Sequence, residues 1–148
     1  MKDIAALLQT AQAARTVGDL AAAIDHQSVA IEMLRQGTNP LALAHALRHR
    51  ADMLIGASRA EEAEADCAQA LWFYAQVPDA PPLDIANAVR CAACQAEAVG
   101  DVPGALALWH DARTRYAKLS DLFEQMTGSP ANPGVAEATM RIEALGGA

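Results

Sequence analysis

The stretch VGDLAAAI, Val17 to Ile24, returns eighty-two residues later as VGDVPGAL, Val99 to Leu106. Glycine readily takes the left-handed conformation that ends a helix, and aspartate is a preferred first cap of the next one. The two triplets therefore predict two helix–turn–helix units, with Gly18 and Gly100 at positive φ and Asp19 and Asp101 as N-caps. Five residues past each glycine stand Ala23 and Ala105, and seven further on stand Ala30 and Ala112. The same spacing from Ser58 reaches Ala63 and Ala70, so a third copy lies between them in which Ser58-Arg59 has replaced Gly-Asp. Upstream, Ala11, Ala51 and Ala93 precede the turns by seven residues, and Leu7, Leu47 and Val89 by eleven. Residues seven apart share a helix face, and small ones there let a neighbouring helix approach closely.

Prolines extend the register. Pro40, Pro82 and Pro133 each stand eight residues before an arginine, Arg48, Arg90 and Arg141. Proline suits a helix's first turn. The third of them opens a half-copy, with Met140 before Arg141 and Ala144 after it. The chain thus reads as one all-α domain, 1–148, with a repeat of 40 to 42 residues. Its units cover about 2–36, 40–78 and 82–126, and a closing helix covers about 133–146 to give seven helices and no strand. Ser58 and Glu61 are placed for a capping box. Breakers follow each unit: GTNP (37–40), PDAPP (78–82) and TGSPANPG (127–134), the last read as a mobile linker.

Composition narrows the function classes. A chain of 148 residues with 53% hydrophobic but only 4% aromatic side chains builds its core from Ala, Leu, Ile and Val, which favours close-packed helices. The net charge of −7 leaves no basic face for nucleic acid or an anionic membrane. No apolar run is long enough to span a bilayer, and the N-terminus lacks the pattern of a signal peptide. Cys67, Cys91 and Cys94 are an odd count, read as thiols of a cytoplasmic protein.

A small residue, an alanine five on and another seven beyond resembles the tetratricopeptide repeat, and the long period with Pro-x3-Ala (Pro40 to Ala44, Pro82 to Ala86) is similar to its kinesin-light-chain-like branch. The family's aromatic positions are mostly replaced here. Leu7, Leu47 and Val89 stand for its Trp, and Gln27, Cys67 and Trp109 for its Phe, so the first repeat is expected to pack less tightly around Gln27. The resemblance implies a right-handed α-solenoid that binds a peptide or protein along the first helices of its repeats. Its groove positions map to Ala5, Leu8, Gln12 and Arg15, then His45, Arg48, Asp52 and Ile55, then Asn87, Arg90, Cys94 and Glu97. Arg48 and Arg90 share one repeat position and are expected to hold an acidic side chain or a C-terminal carboxylate in forked hydrogen bonds. Pairing of both arginines with nearby carboxylates, Asp52, Asp84 or Glu97, is the competing expectation. The clamp of the chaperone-binding members is absent, because Leu8, Gln12, His49, Asn87 and Cys91 occupy its positions.

Catalytic and metal chemistry find little support. HALRH sets His45 and His49 four apart with Asp52 on the same face, but lacks the intervening glutamate of the metalloprotease motif. CAAC (91–94) lies in mid-helix, away from the helix N-terminus that activates a redox thiol. No phosphate loop or nucleophile triad appears, so no enzyme, metal or cofactor is expected. Trp72, at a register position that is polar in the other copies (Glu32, Thr114), is expected either to form a contact surface or to pack under the PDAPP loop. The functional expectation is a partner-binding scaffold, with a homodimer built on Trp72 and the closing helix as the alternative.

Overall fold

Each predicted turn closes through a left-handed residue. Gly18 has φ +83° and Gly100 +81°, and Ser58 adopts φ +60° at the position where glycine is missing. The residue after each turns its amide back to the preceding helix: Asp19 to the Ala14 carbonyl (2.9 Å), Arg59 to Leu54 (2.8 Å) and Asp101 to Ala96 (2.9 Å). Asp19 and Asp101 then cap the next helix, accepting from the amides of Ala22 (3.1 Å) and Gly104 (3.0 Å). The capping box at Ser58 does not form. Ser58 is spent on the turn, Arg59 takes the cap position without a side-chain bond to the helix, and its guanidinium grips Glu62 instead (2.6 and 2.8 Å).

The computed structural model describes residues 3–147. It holds the helices α1 (Ile4–Thr16), α2 (Leu20–Arg35), α3 (Pro40–Gly56), α4 (Glu64–Ala75), α5 (Pro82–Ala98), α6 (Val102–Ala117), α7 (Ser120–Thr127) and α8 (Pro133–Ala144). A 3₁₀ turn, Ala60–Ala63, leads into α4, and no strand occurs among the described residues. The chain divides after Asp79, inside the PDAPP breaker, into two compact units.

Unit 1 contains the hairpins α1–α2 and α3–α4, joined by packing of α2 on α3. Asn39 caps α3 through the Ala42 amide (3.0 Å), with Pro40 in its first turn. The small residues meet where the register puts them: Ala11, Ala23, Ala30, Ala51 and Ala63 are fully buried, and Ala70 almost so. Ile31, Leu34, Leu43 and Leu47 fill the space between the hairpins, with Leu8 and Phe73 at its margin. Gln27 is not a loose spot. It is 3% exposed, and its amide donates to the Ala46 carbonyl of α3 (2.9 Å), tying the hairpins together at the position where Trp109 sits in unit 2.

Unit 2 contains the hairpin α5–α6, then α7 and α8, and α8 packs on α6 as α3 packs on α2. Val89, Ala93, Ala105, Trp109, Ala112 and Tyr116 are buried there, together with Ala138 and Ile142 of α8. The helix expected to run to residue 126 stops at Ala117. The Tyr116 carbonyl accepts from the Leu119 amide (2.9 Å) and the Asn132 side chain (2.7 Å), which turns the chain out of helical register. A separate α7 follows, with no buried residue, so the described residues hold eight α-helices rather than seven. The TGSPANPG segment is tied back at Asn132, which also caps α8 through the Val135 amide (3.2 Å). Gly134 lies flat against the Tyr116 ring, where a Cβ would come within 2.3 Å of the ring carbon Cγ. Met140 holds the register of the buried Leu47 and Val89 but is 60% exposed, since no described helix follows α8 to cover it.

Candidate functional site

In α3, residues four apart share a face, which aligns His45 with His49 and Arg48 with Asp52. Arg48 Nη1 donates to Asp52 Oδ2 at 3.1 Å, and both side chains are largely shielded from solvent. His45 Nε2 and His49 Nε2 lie 3.2 Å apart, with the two rings meeting edge to face. Arg15, in the last turn of α1, reaches across to place Nη1 3.3 Å from His49 Nδ1, while Arg48 Nη2 stands 3.2 Å from His49 Nε2. A cleft of about 260 Å³ opens beside this cluster, lined by Leu8, Gln9, Gln12, Gln27, His45, His49 and Met53.

His49 is an uncharged imidazole at neutral pH. Burial is the main cause, followed by the positive fields of Arg48, His45 and Arg15, and together they push its pKa down from 6.5 to about 3. The cluster brings together five of the residues expected from the sequence: Gln12, Arg15, His45, Arg48 and Asp52. Two further members, His49 and Gln27, were not among the expected groove residues. His49 carried a signal in HALRH, whereas Gln27 stood at a position reserved for an aromatic. The two imidazoles are close enough to share an ion, but two guanidiniums adjoin them, and no group of three His, Cys, Asp or Glu side chains among the described residues is placed to hold a metal.

The corresponding residues of unit 2 are engaged within the unit. Asn87 Oδ1 accepts from the Tyr116 hydroxyl (2.6 Å). Arg90 forks onto the Glu137 carboxylate of α8, rather than onto Asp84 or Glu97. Glu97 accepts from Trp109 Nε1 (3.1 Å) and pairs with Arg141. These links dock α8 against α5 and α6 at the place a next first helix would take. A hollow of about 360 Å³ remains beside them, lined by Cys94, Glu97, Trp109, Glu137 and Arg141.

Other sequence candidates stand apart from these clusters. Trp72, on α4 of unit 1, is 60% exposed and touches the Phe73 ring edge to face (5.1 Å) rather than packing under the PDAPP loop. Cys67 and Cys91 are buried thiols and Cys94 a half-buried one. No described helix is long and apolar enough to cross a membrane. An ion pair that the sequence reading missed joins Arg50 of α3 to Asp66 of α4 through two hydrogen bonds (2.7 and 2.8 Å), with Arg50 also reaching Ser28. Its register gave no warning, because the third repeat holds Ala92 and Leu108 at those two positions. No protein-family model matches the chain, and no curated protein matches it either.

Proposed function

We propose that this protein is a non-catalytic interaction module of the tetratricopeptide type, which binds a protein or peptide partner on the first-helix face of unit 1. The observation that carries this reading is one open cleft lined by Gln12 and His45 from two first helices, with Arg15 and Arg48 held against His49 in its wall and Asp52 paired to Arg48. Polar side chains that can donate and accept line its rim, and Leu8 and Met53 give it an apolar floor. Such a mixture suits a short peptide segment better than it suits bond-breaking chemistry. Buried thiols are in keeping with a reducing compartment, so the cytoplasm is the proposed location. Arg48 holds Asp52 through Nη1 and turns Nη2 to His49 in the cleft wall, whereas Arg90 commits both Nε and Nη2 to Glu137, which supports unit 1 as the receiving face.

The test is affinity capture from the native cell followed by mass spectrometry, with Arg15→Gln/Arg48→Gln as the comparison. The double variant is expected to lose the partner while keeping the wild-type far-UV circular dichroism. Equal capture by both proteins refutes the reading. A second reading, self-association through Trp72 and α8, rests on the 60% exposure of both Trp72 and Met140. Light scattering across a concentration series tests it, and a concentration-independent monomer removes it.

A further inference from the structure

Arg48 and Arg90 occupy the same place in their repeats, and in unit 2 that place binds a carboxylate: Arg90 Nε and Nη2 both donate to Glu137. In unit 1 the same position also holds a carboxylate, Asp52, through Nη1 (3.1 Å), but its Nη2 faces an imidazole. Arg15 and Arg48 direct guanidinium nitrogens at the two ring nitrogens of His49, at 3.3 and 3.2 Å. A guanidinium can only donate, and a neutral imidazole has a single acceptor nitrogen. Whichever tautomer His49 adopts, one of the two contacts sets donor against donor. An anion resolves the conflict, because its oxygens accept from the arginines and from a protonated imidazole alike. The cleft's volume of about 260 Å³ lies below the range usual for small-molecule and cofactor pockets, and it fits one inserted side chain.

Resting on the partner-binding reading above, we propose that the unit 1 cleft takes the carboxylate of an acidic side chain of the partner, and that a proton enters the His45–His49 pair with it. The charged groups facing the pair are Arg48 and, through it, Asp52 from α3 itself, and Arg15 from α1. The cleft lining from α1 and α2 is itself neutral, with Leu8, Gln9, Gln12 and Gln27, and Arg15 reaches the site through His49. Asp66, the charged residue of α4 that reaches α3, is bound to Arg50.

The sign of the coupling follows from these charges. Empty, the cleft keeps His49 uncharged down to about pH 3. A carboxylate within about 4–6 Å favours the imidazolium and raises the histidine pKa by roughly 1–3 units. The complex therefore holds more protons than the free protein through the mildly acidic range, and linkage makes binding tighten as pH falls there. The gain ends near pH ~4, where the partner's own carboxylate is neutralised.

The experiment is a calorimetric and NMR titration of the full chain at pH 7.5 and 5.0. The probe is an acetylated, amidated peptide with two glutamates. Its glutamine counterpart and an alanine peptide with a free C-terminal carboxylate serve as comparisons. The glutamate peptide is expected to bind about three- to tenfold more tightly at pH 5.0, and the His49 ring resonances to titrate only in its presence. His49→Gln should bind with one affinity at both pH values, and Arg15→Gln/Arg48→Gln should bind at neither. Equal wild-type affinity at both pH values, with no titration of His49, overturns the proton uptake and leaves the partner-binding reading standing. Preference for the free C-terminus overturns the side-chain assignment. If no peptide binds although cellular capture still depends on Arg15 and Arg48, the carboxylate is the wrong ligand. If that dependence fails too, the partner-binding reading falls with it.

Discussion

The ion pair between Arg50 and Asp66 invites a direct test, because the third repeat shows what the same positions hold without it. Asp66 is 4% exposed and Arg50 19%, and two hydrogen bonds of 2.7 and 2.8 Å join them. Arg50→Ala leaves a buried carboxylate with no cation, and breaking such a pair costs about 3–5 kcal/mol. Asp66→Leu is expected to cost less, since Arg50 borders an open hollow with Ser28, Arg59 and Glu62 through which it can reach water. The double change Arg50→Ala/Asp66→Leu installs the pair found at the third-repeat register, Ala92 and Leu108, and removes both desolvated charges. Replacement of a buried pair by apolar residues is often neutral or better, so the double variant should return to within about 1 kcal/mol of wild type. At about 2–4 °C per kcal/mol for a chain of this size, Arg50→Ala should melt about 6–20 °C lower. Thermal melts and urea titrations followed by far-UV circular dichroism read both quantities, and the double-mutant cycle isolates the coupling. An Arg50→Ala variant within 1 kcal/mol of wild type, or a double variant as unstable as Arg50→Ala, refutes the reasoning.

Three further outcomes are expected. His49 has a folded pKa below its unfolded one, so the unfolded chain binds the extra proton and stability must fall as pH drops from about 6.5 towards 3. Its share of the loss at pH 5 is roughly 1 kcal/mol after solvent screening. Urea midpoints at pH 7 and 5 measure it, and an unchanged pH slope in His49→Gln would count against the assignment. Gly134→Ala should destabilise by about 1–3 kcal/mol, because the added Cβ meets the Tyr116 ring at 2.3 Å and that ring also ties down Asn87. A melt coincident with wild type would show that Tyr116 can move aside at no cost. Ser58→Gly should raise stability by about 0.5–1 kcal/mol by relieving the left-handed strain at φ +60°, read from the urea midpoint; a decrease contradicts the glycine-equivalent role of Ser58.

The turns and the helix contacts were legible early because both are short-range properties. A left-handed residue followed by a cap is written in two consecutive positions, and the left-handed half of it appeared even at Ser58-Arg59, where no side chain caps the helix. Alanine at intervals of seven names the face where helices touch, and Ala23, Ala30, Ala63, Ala105 and Ala112 are all fully buried there. The site was only half legible. The resemblance to tetratricopeptide repeats picked out Arg15, His45 and Arg48, but the approach of Arg15 and Arg48 to His49 depends on how α1 and α3 are placed in the fold. Arg90 was placed for a ligand's carboxylate or for pairing with Asp84 or Glu97, and it grips Glu137, forty-seven residues away.

By itself, then, the sequence determined an all-helical chain, its repeat length, the left-handed turns at Gly18 and Gly100 and the small-residue seams between helices. Each of these depends on backbone conformation or on one helical period, and so can be read within a dozen residues. Tertiary structure alone decided the partners of the long charged side chains: Arg50 with Asp66, Glu97 with Arg141, and Arg90 with Glu137. It also decided that α7 breaks away and that Met140 is left uncovered. A flexible arginine can reach carboxylates on several neighbouring helices, and only the packing of those helices selects one.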